Sequence, residues 1–238
     1  MTSRIDGTTP FSNSNVQEPK ENVPMLPHPI FEKAVQPLVA TRPLADVTLL
    51  TPSTANSLTI NQEHYEGPLV NGKRQGKGLL WSNGNKYDGE FFNDLPEGRG
   101  ILVYNTGITY VGHFHQGKYH GEGTLTSQEG EYIGEFQFGF FDGYGTFRYS
   151  NGDIFIGNYV KGIRQGEGIL YYMEGGSYAG GYRNGRRHGL GTLTSAAGDV
   201  YVGGFRDGVF DGYGKLTTVD GEPPIEGLFA NNLFVSKY

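Results

Sequence analysis

Residues 178–193 read Tyr-Ala-Gly-Gly-Tyr-Arg-Asn-Gly-Arg-Arg-His-Gly-Leu-Gly-Thr-Leu. Tyr178, Gly180 and Tyr182 alternate, which puts them on one face of an extended strand. Asn184-Gly185 is a dipeptide that accepts positive φ in a tight turn. Gly189, Gly191 and Leu193 alternate again, so a second strand returns beside the first. The stretch predicts a β-hairpin with bare positions on one face.

The pattern recurs along most of the chain. An aromatic followed two residues later by glycine opens units at Tyr65, Tyr87, Tyr110, Tyr132, Phe155, Tyr178 and Tyr201, and a weaker one opens at Ile225. Their spacing is 22 to 24 residues, giving seven complete repeats and the start of an eighth. With the opening residue as position 0, glycine fills position 2 in all eight units and positions 11 and 13 in all seven complete ones. It fills position 7 in six of eight units and position 19 or 20 in all seven complete ones, so these places hold 35 of the chain's 39 glycines.

Glycine inside a strand is normally unfavourable. Here rings from positions 0 and 4 are expected to lie across the bare backbone of positions 2, 11 and 13, as in aromatic rescue of glycine. Hairpins stacked edge to edge predict an all-β fold, a single-layer, elongated and twisted antiparallel sheet about 70 Å long.

Composition agrees with that reading. Collagen is excluded, because glycine is not at every third position. A disordered glycine-rich linker does not fit 16 Tyr and 15 Phe in 238 residues. The absence of cysteine excludes disulfides, thiolate metal sites and a cysteine nucleophile. A net charge of −6, without a basic segment, counts against nucleic acid as the partner. No apolar run suits a membrane-spanning helix or a signal peptide, so a soluble cytoplasmic protein, neither secreted nor transmembrane, is expected.

Tyr-x-Gly-x-Phe-x-x-Gly-x-x-x-Gly-x-Gly-x-Leu, written here as Tyr178 to Leu193, resembles the MORN repeat (membrane occupation and recognition nexus) over about 65–232. The resemblance implies a non-catalytic scaffold of the kind found in cytoskeletal collars, ciliary radial spokes and membrane junctions, or appended to lipid kinases and a histone methyltransferase. Departures from the motif are Asp94 and Asn232 in place of glycine, Leu69 for an aromatic, and Ile225 for the opening aromatic. Three of the four fall in the first and last units, as expected of capping repeats.

Several surfaces are candidates for binding. Tyr87, Phe91, Tyr110, Phe114, Tyr132, Phe136, Phe155, Tyr159, Tyr178, Tyr182, Tyr201 and Phe205 form one apolar stripe. Most of its area is expected to pack on the glycines and on position 15, while twist curls the stripe into a groove for a protein partner. On the opposite face positions 14 and 16 are mostly Thr, except for Leu79, Trp81, Ile101 and Val103, which call for a cover from this chain's N-terminal segment or from a partner. Basic residues after the turns, Lys73, Arg74, Lys161, Arg164, Arg186 and Arg187, suggest contacts to anionic lipid. Acids at equivalent places, such as Asp207 and Asp211, favour plain solvated loops instead. Phe210, Tyr213, Phe229, Leu233 and Phe234 crowd an open sheet edge where a second copy could pair.

Before the repeats, residues 1–22 are polar and expected to be disordered. Residues 23–60 interleave apolar side chains with proline, which excludes a helical domain and suggests a docking or capping segment. Leu58 lies seven residues before Tyr65, the place of position 15 in a preceding unit, so Ser57 to Ile60 is expected to be a capping strand. Residues 65–238 form the repeat domain.

Chemistry is not indicated. The recurring Gly-x-Gly lies inside a strand rather than at a strand-to-helix turn, so it is no nucleotide fingerprint. His113, His115 and His120 read as exposed side chains rather than metal ligands. No catalytic residue, cofactor or metal is expected. The sequence therefore favours a non-enzymatic scaffold in a cytoskeletal or ciliary assembly, against a phosphoinositide-binding tether or a targeting subunit of a separate enzyme.

Overall fold

The computed structural model describes residues 57–60 and 63–237, with the backbone alone for 57–60. The tail expected at 1–22 and most of the segment expected at 23–60 lie outside the described residues. What is described contains strands and no helix, in two compact units, one ending at Ser150 and one beginning at Asn151. The first holds β1 (Ser57–Ile60), β2 (Glu63–Glu66), β3 (Leu69–Val70), β4 (Lys73–Arg74), β5 (Gly76–Ser82) and β6 (Asn85–Phe92). It continues with β7 (Leu95–Val103), β8 (Thr109–His115), β9 (Lys118–Ser127), β10 (Gly130–Gln137) and β11 (Phe140–Tyr149). The second unit holds β12 (Ile154–Val160), β13 (Ile163–Tyr171), β14 (Ser177–Arg183) and β15 (Arg186–Thr194), then β16 (Val200–Arg206), β17 (Val209–Thr217), β18 (Ile225–Ala230) and β19 (Leu233–Ser236).

Within each unit the strands pair antiparallel with their neighbours in sequence, as stacked hairpins require. The exception is the first repeat, where Pro68 interrupts the strand, β3 and β4 form a separate two-residue ladder, and β2 pairs with β5. β1 pairs with β2 and sets Leu58 opposite Tyr65, the register expected of a capping strand.

One repeat shows the construction. Tyr132 faces Phe147 and Gly134 faces Gly145, and then the register slips so that Phe136 faces Phe141. A single residue, Glu135, thus opposes three, Asp142, Gly143 and Tyr144, which makes a special β-bulge. The glycine at position 11 turns the chain there: in all seven complete repeats its φ is positive, from 67° at Gly98 to 107° at Gly143. This corrects the expectation that position 11 is a bare spot under a ring. Only positions 2 and 13 are. A Cβ placed on Gly145 would run into the Tyr132 ring, and one on Gly134 into both Tyr132 and the backbone of Gly145.

The position-0 tyrosine does a second job. In five of the six repeats that open on tyrosine, Tyr110 being the exception, the hydroxyl reaches over the two bare glycines and donates to the position-3 carbonyl that the bulge leaves without a ladder partner. Tyr87 meets Glu90 at 2.9 Å, Tyr132 meets Glu135 at 3.0 Å, Tyr178 meets Gly181 at 2.9 Å and Tyr201 meets Gly204 at 3.1 Å. Such a part-buried bond is worth about 1 kcal/mol. In two repeats the position-3 side chain also caps the bulge from the other side: Glu90 accepts from the Arg99 amide and Glu135 from the Tyr144 amide.

The hairpin tips are equally uniform. Positions 6 and 7 both have positive φ in all eight units, as in Asn71-Gly72, Lys161-Gly162 and Asp207-Gly208, the geometry of a type I′ turn. Asp94 and Asn232 keep that conformation without glycine, at φ 72° and 66°. Each also accepts a hydrogen bond from the preceding repeat, from the Arg74 amide at 2.8 Å and the Phe210 amide at 2.7 Å. At the opposite ends of the strands, buried Asn85, Asp153 and Asp199 accept from the amides of Asn105, Met173 and Val219, tying each repeat to the next connection.

The twelve rings expected to line a groove are at most 4% exposed and form the core. Position-0 rings meet position-4 rings edge to face in their own repeat and in the next, as Tyr87 does with Phe91 at 5.0 Å and with Phe114 at 4.5 Å. Within each unit the open groove is therefore corrected to a closed aromatic layer, because the rings are wedged between their neighbours over bare backbone.

Gly145→Val, which drives a side chain into Tyr132, is expected to lower unfolding free energy by about 2–3 kcal/mol. Gly143→Ala, which only strains a positive φ and displaces the Glu135 carboxylate, should cost about 1–2 kcal/mol. Urea unfolding measures both, and a larger loss at 143 than at 145 would contradict the assignment of the two glycines.

Candidate partner-binding surfaces

With the rings in the core, binding surfaces must come from the outer face and the hairpin tips. Position 9, just past each tip, shows why some charged residues do not qualify. In six of the seven complete repeats it holds a flat group set on the position-0 ring, and in the second it is Pro96. Tyr119 lies on Tyr110 with centroids 4.6 Å apart, Phe141 on Tyr132 at 3.8 Å and Phe210 on Tyr201 at 3.7 Å. In three other repeats the flat group is a guanidinium. Arg74 sits 5.5 Å from the Phe91 centroid, Arg164 is 5.3 Å from Phe155 and 5.2 Å from Tyr182, and Arg187 is 5.7 Å from both Tyr178 and Phe205.

Three of the six side chains assigned to anionic lipid are therefore packed on the aromatic layer. Arg164 is buried, Arg74 lies near Glu63 and Asp94, and Arg187 donates to the Gly208 carbonyl at 2.8 Å. Lys73, Lys161 and Arg186 are exposed on the tips of three different hairpins. Arg183, opposite Arg186, lies 3.8 Å from Asp207, and Arg206 pairs with Asp211 at 2.8 Å.

The proposed dimer edge divides in the same way. Phe210 and Phe229 are core residues, Phe234 packs on Phe229 at 5.5 Å, and Tyr213 and Leu233 are exposed. The three histidines near 113 stand on the outer face and tips. His113 accepts from Arg99 Nε at 3.2 Å, and burial together with the Arg99 charge lowers its pKa. His115 Nδ1 lies 2.8 Å from Glu97. Among the described residues no three His, Asp or Glu side chains are grouped to hold a metal.

The outer face differs between the units at positions 3 and 12, which oppose one another across neighbouring strands. In the first unit these pairs are polar: Lys77 with Glu90, Arg99 with His113, and Glu122 with Glu135. In the second, Glu167 opposes Gly181, but Leu190 opposes Gly204 and Tyr213 opposes Leu228. Leu190 is 77% exposed, Tyr213 55% and the nearby Val202 52%. Gly181 and Gly204 stand where other repeats carry Glu90, His113, Glu135 or Asn158. The carbonyls of His188 and Asp211 close over them, leaving no room for a Cβ.

The result is an uncharged projecting leucine beside bare backbone. Sequence reading passed over it because Gly181 and Gly204 fall outside the repeat scheme. The signal was there: glycine at position 3 where other units hold a polar side chain, next to an apolar residue at position 12.

The family model for the MORN repeat matches seven consecutive units, residues 65–86, 87–109, 110–131, 132–154, 155–177, 178–200 and 201–222. The chain belongs to the MORN-repeat family. No curated protein matches it. The MORN units begin on the ring that covers the bare glycines, and the structure adds an eighth, shortened unit in β18 and β19. No helix among the described residues is long and apolar enough to cross a membrane.

Burial raises the hydroxyl pKa of Tyr87, Tyr132 and Tyr182 well above the ordinary tyrosine value, and it pushes Tyr201 up to about 12. The folded state therefore holds these protons when the unfolded chain has lost them. Stability is fully present below about pH 10 and falls as pH rises toward the folded values. Ultraviolet titration should show these tyrosines ionising only together with loss of the fold. Their ionisation near pH 10 in the intact protein would contradict the buried assignment.

Proposed function

We propose that this MORN-repeat chain is a non-enzymatic scaffold that holds protein partners on the residues that vary between repeats. The observation that carries this reading is the exposed apolar patch around Leu190, Val202 and Tyr213, bordered by Gly181 and Gly204. An apolar patch with a projecting leucine, rimmed by Lys215 opposite Val202 and Glu167 opposite Gly181, suits an apolar segment of another protein. A cytoskeletal or ciliary assembly is the setting that the family favours. Self-association along the strand Leu233–Ser236, where Leu233 and Val235 are exposed, belongs to the same proposal, and light scattering on the purified chain tests it.

The membrane-tether reading is the weaker one, since Arg74, Arg164 and Arg187 are committed to the aromatic layer. Sedimentation with vesicles containing a polyphosphoinositide is expected to show no binding near 0.15 M salt. Binding abolished by replacing Lys73, Lys161 and Arg186 with Gln would put the tether ahead.

For the scaffold reading, the full chain and its Leu190→Asp/Val202→Asp variant serve as baits in parallel. The variant is expected to keep its circular dichroism and to lose the partners that the parent retains. Retention of the same partners by the folded variant would overturn the assignment to this patch.

A further inference from the structure

The outer face of the first two repeats differs from the rest of its unit. Leu79, Trp81, Ile101 and Val103 occupy positions that hold Thr124, Thr126, Thr146 and Arg148 in the next two repeats. Leu79 is buried, Trp81 and Ile101 are half-buried, and Val103 is 38% exposed. Trp81 has the His64 ring at 5.0 Å and the Lys86 ammonium at 5.9 Å. Asp88 stands between Leu79 and Ile101, and burial raises its carboxyl above the ordinary value, the sign of a face poor in water.

The strand register shows where the preceding chain joins this face. Ser57 opposes Glu66, Glu66 opposes Leu79, Leu79 opposes Asp88 and Asp88 opposes Ile101. The next row runs His64, Trp81, Lys86, Val103. The 56 residues before Ser57 therefore join the described structure at the end of the row that holds Leu79 and Ile101. From β1 to β7 the row crosses four strand spacings, about 19 Å. Residues 51–56, fully extended, span about 20 Å.

Just beyond that reach, residues 44–50 read Leu-Ala-Asp-Val-Thr-Leu-Leu, bracketed by Pro43 and Pro52. Their four large apolar side chains, Leu44, Val47, Leu49 and Leu50, match four on the sheet.

We propose that residues 44–50 dock in cis on the outer face formed by Leu79, Trp81, Ile101 and Val103. The tether of six residues makes the contact intramolecular, so a modest apolar interface suffices where a separate peptide would pay the full cost of association. The inference goes beyond the scaffold reading and does not depend on it, since the Leu190 patch lies in the other unit.

Trp81 is the chain's only tryptophan, and its fluorescence reports this face alone. Three proteins are compared: the full chain, a chain lacking residues 1–50, and the full chain carrying Val47→Asp/Leu49→Asp. The last keeps the full length of the chain, so it stays informative if the truncation folds poorly, and circular dichroism monitors both. The expected result is a red-shifted emission and loss of protection from acrylamide in both altered proteins. Identical emission and quenching in all three would overturn the proposal. Protection of the full chain that disappears on dilution would also overturn it, by assigning the cover to a second copy.

Discussion

A tyrosine or phenylalanine ring laid across two glycines on paired strands is the contact on which the rest of this structure depends. Neither residue fits its place alone. Glycine in a strand gives up backbone entropy and buries nothing, and a single-layer hairpin offers a ring no second sheet to pack against. Together they make a core one side chain thick, in which the backbone is the partner surface. The clash that a Cβ on Gly145 or Gly214 would meet from Tyr132 or Tyr201 measures how tightly the two are joined.

From that contact the remaining features follow in order. The ring needs length to cross both glycines, and the tyrosine hydroxyl lands on the position-3 carbonyl, where the ladder is interrupted. The bulge that frees this carbonyl needs a positive φ at position 11, met by glycine in every complete repeat. Beyond the bulge the chain turns through two positive-φ residues, and position 9 returns a flat group onto the opening ring. Ring, carbonyl cap, bulge, turn and stacked lid form one closed unit, whose amides and carbonyls also join it to the preceding tip, as Gly185 joins to Arg164 and Gly208 to Arg187.

Features with a local signature were legible in the sequence. The hairpins, the positive-φ turns at their tips and the strand at Ser57 to Ile60 all follow from residue types and spacing, and the structure has each of them. Position 11 was misread because a two-residue glycine spacing looks the same whether the strand is regular or bulged; only pairing geometry separates Gly143 from Gly145. The aromatic stripe was read as partly open because a lone sheet has two wet faces in principle, and edge-to-face packing between successive repeats, which closes it, is not visible in any one unit. Arg164 and Arg187 looked like surface charge, since nothing in their spacing announces that a guanidinium can replace Phe141 or Phe210 as a lid. The patch at Leu190 depends on which strand neighbours it, and that became readable only with the register in hand.

The central claim, that the rings sit on bare glycine backbone at positions 2 and 13 and not at position 11, is tested most directly by proton NMR of the glycine α-protons. A ring held against an α-proton shifts it strongly by its own magnetic field. The account predicts displaced α-proton resonances for Gly134, Gly145, Gly191 and Gly214, with ordinary values for Gly162 and Gly189, which have no neighbouring side chain at the Cβ position. Ordinary shifts at the first four, or displacement shared equally by Gly189, would contradict it.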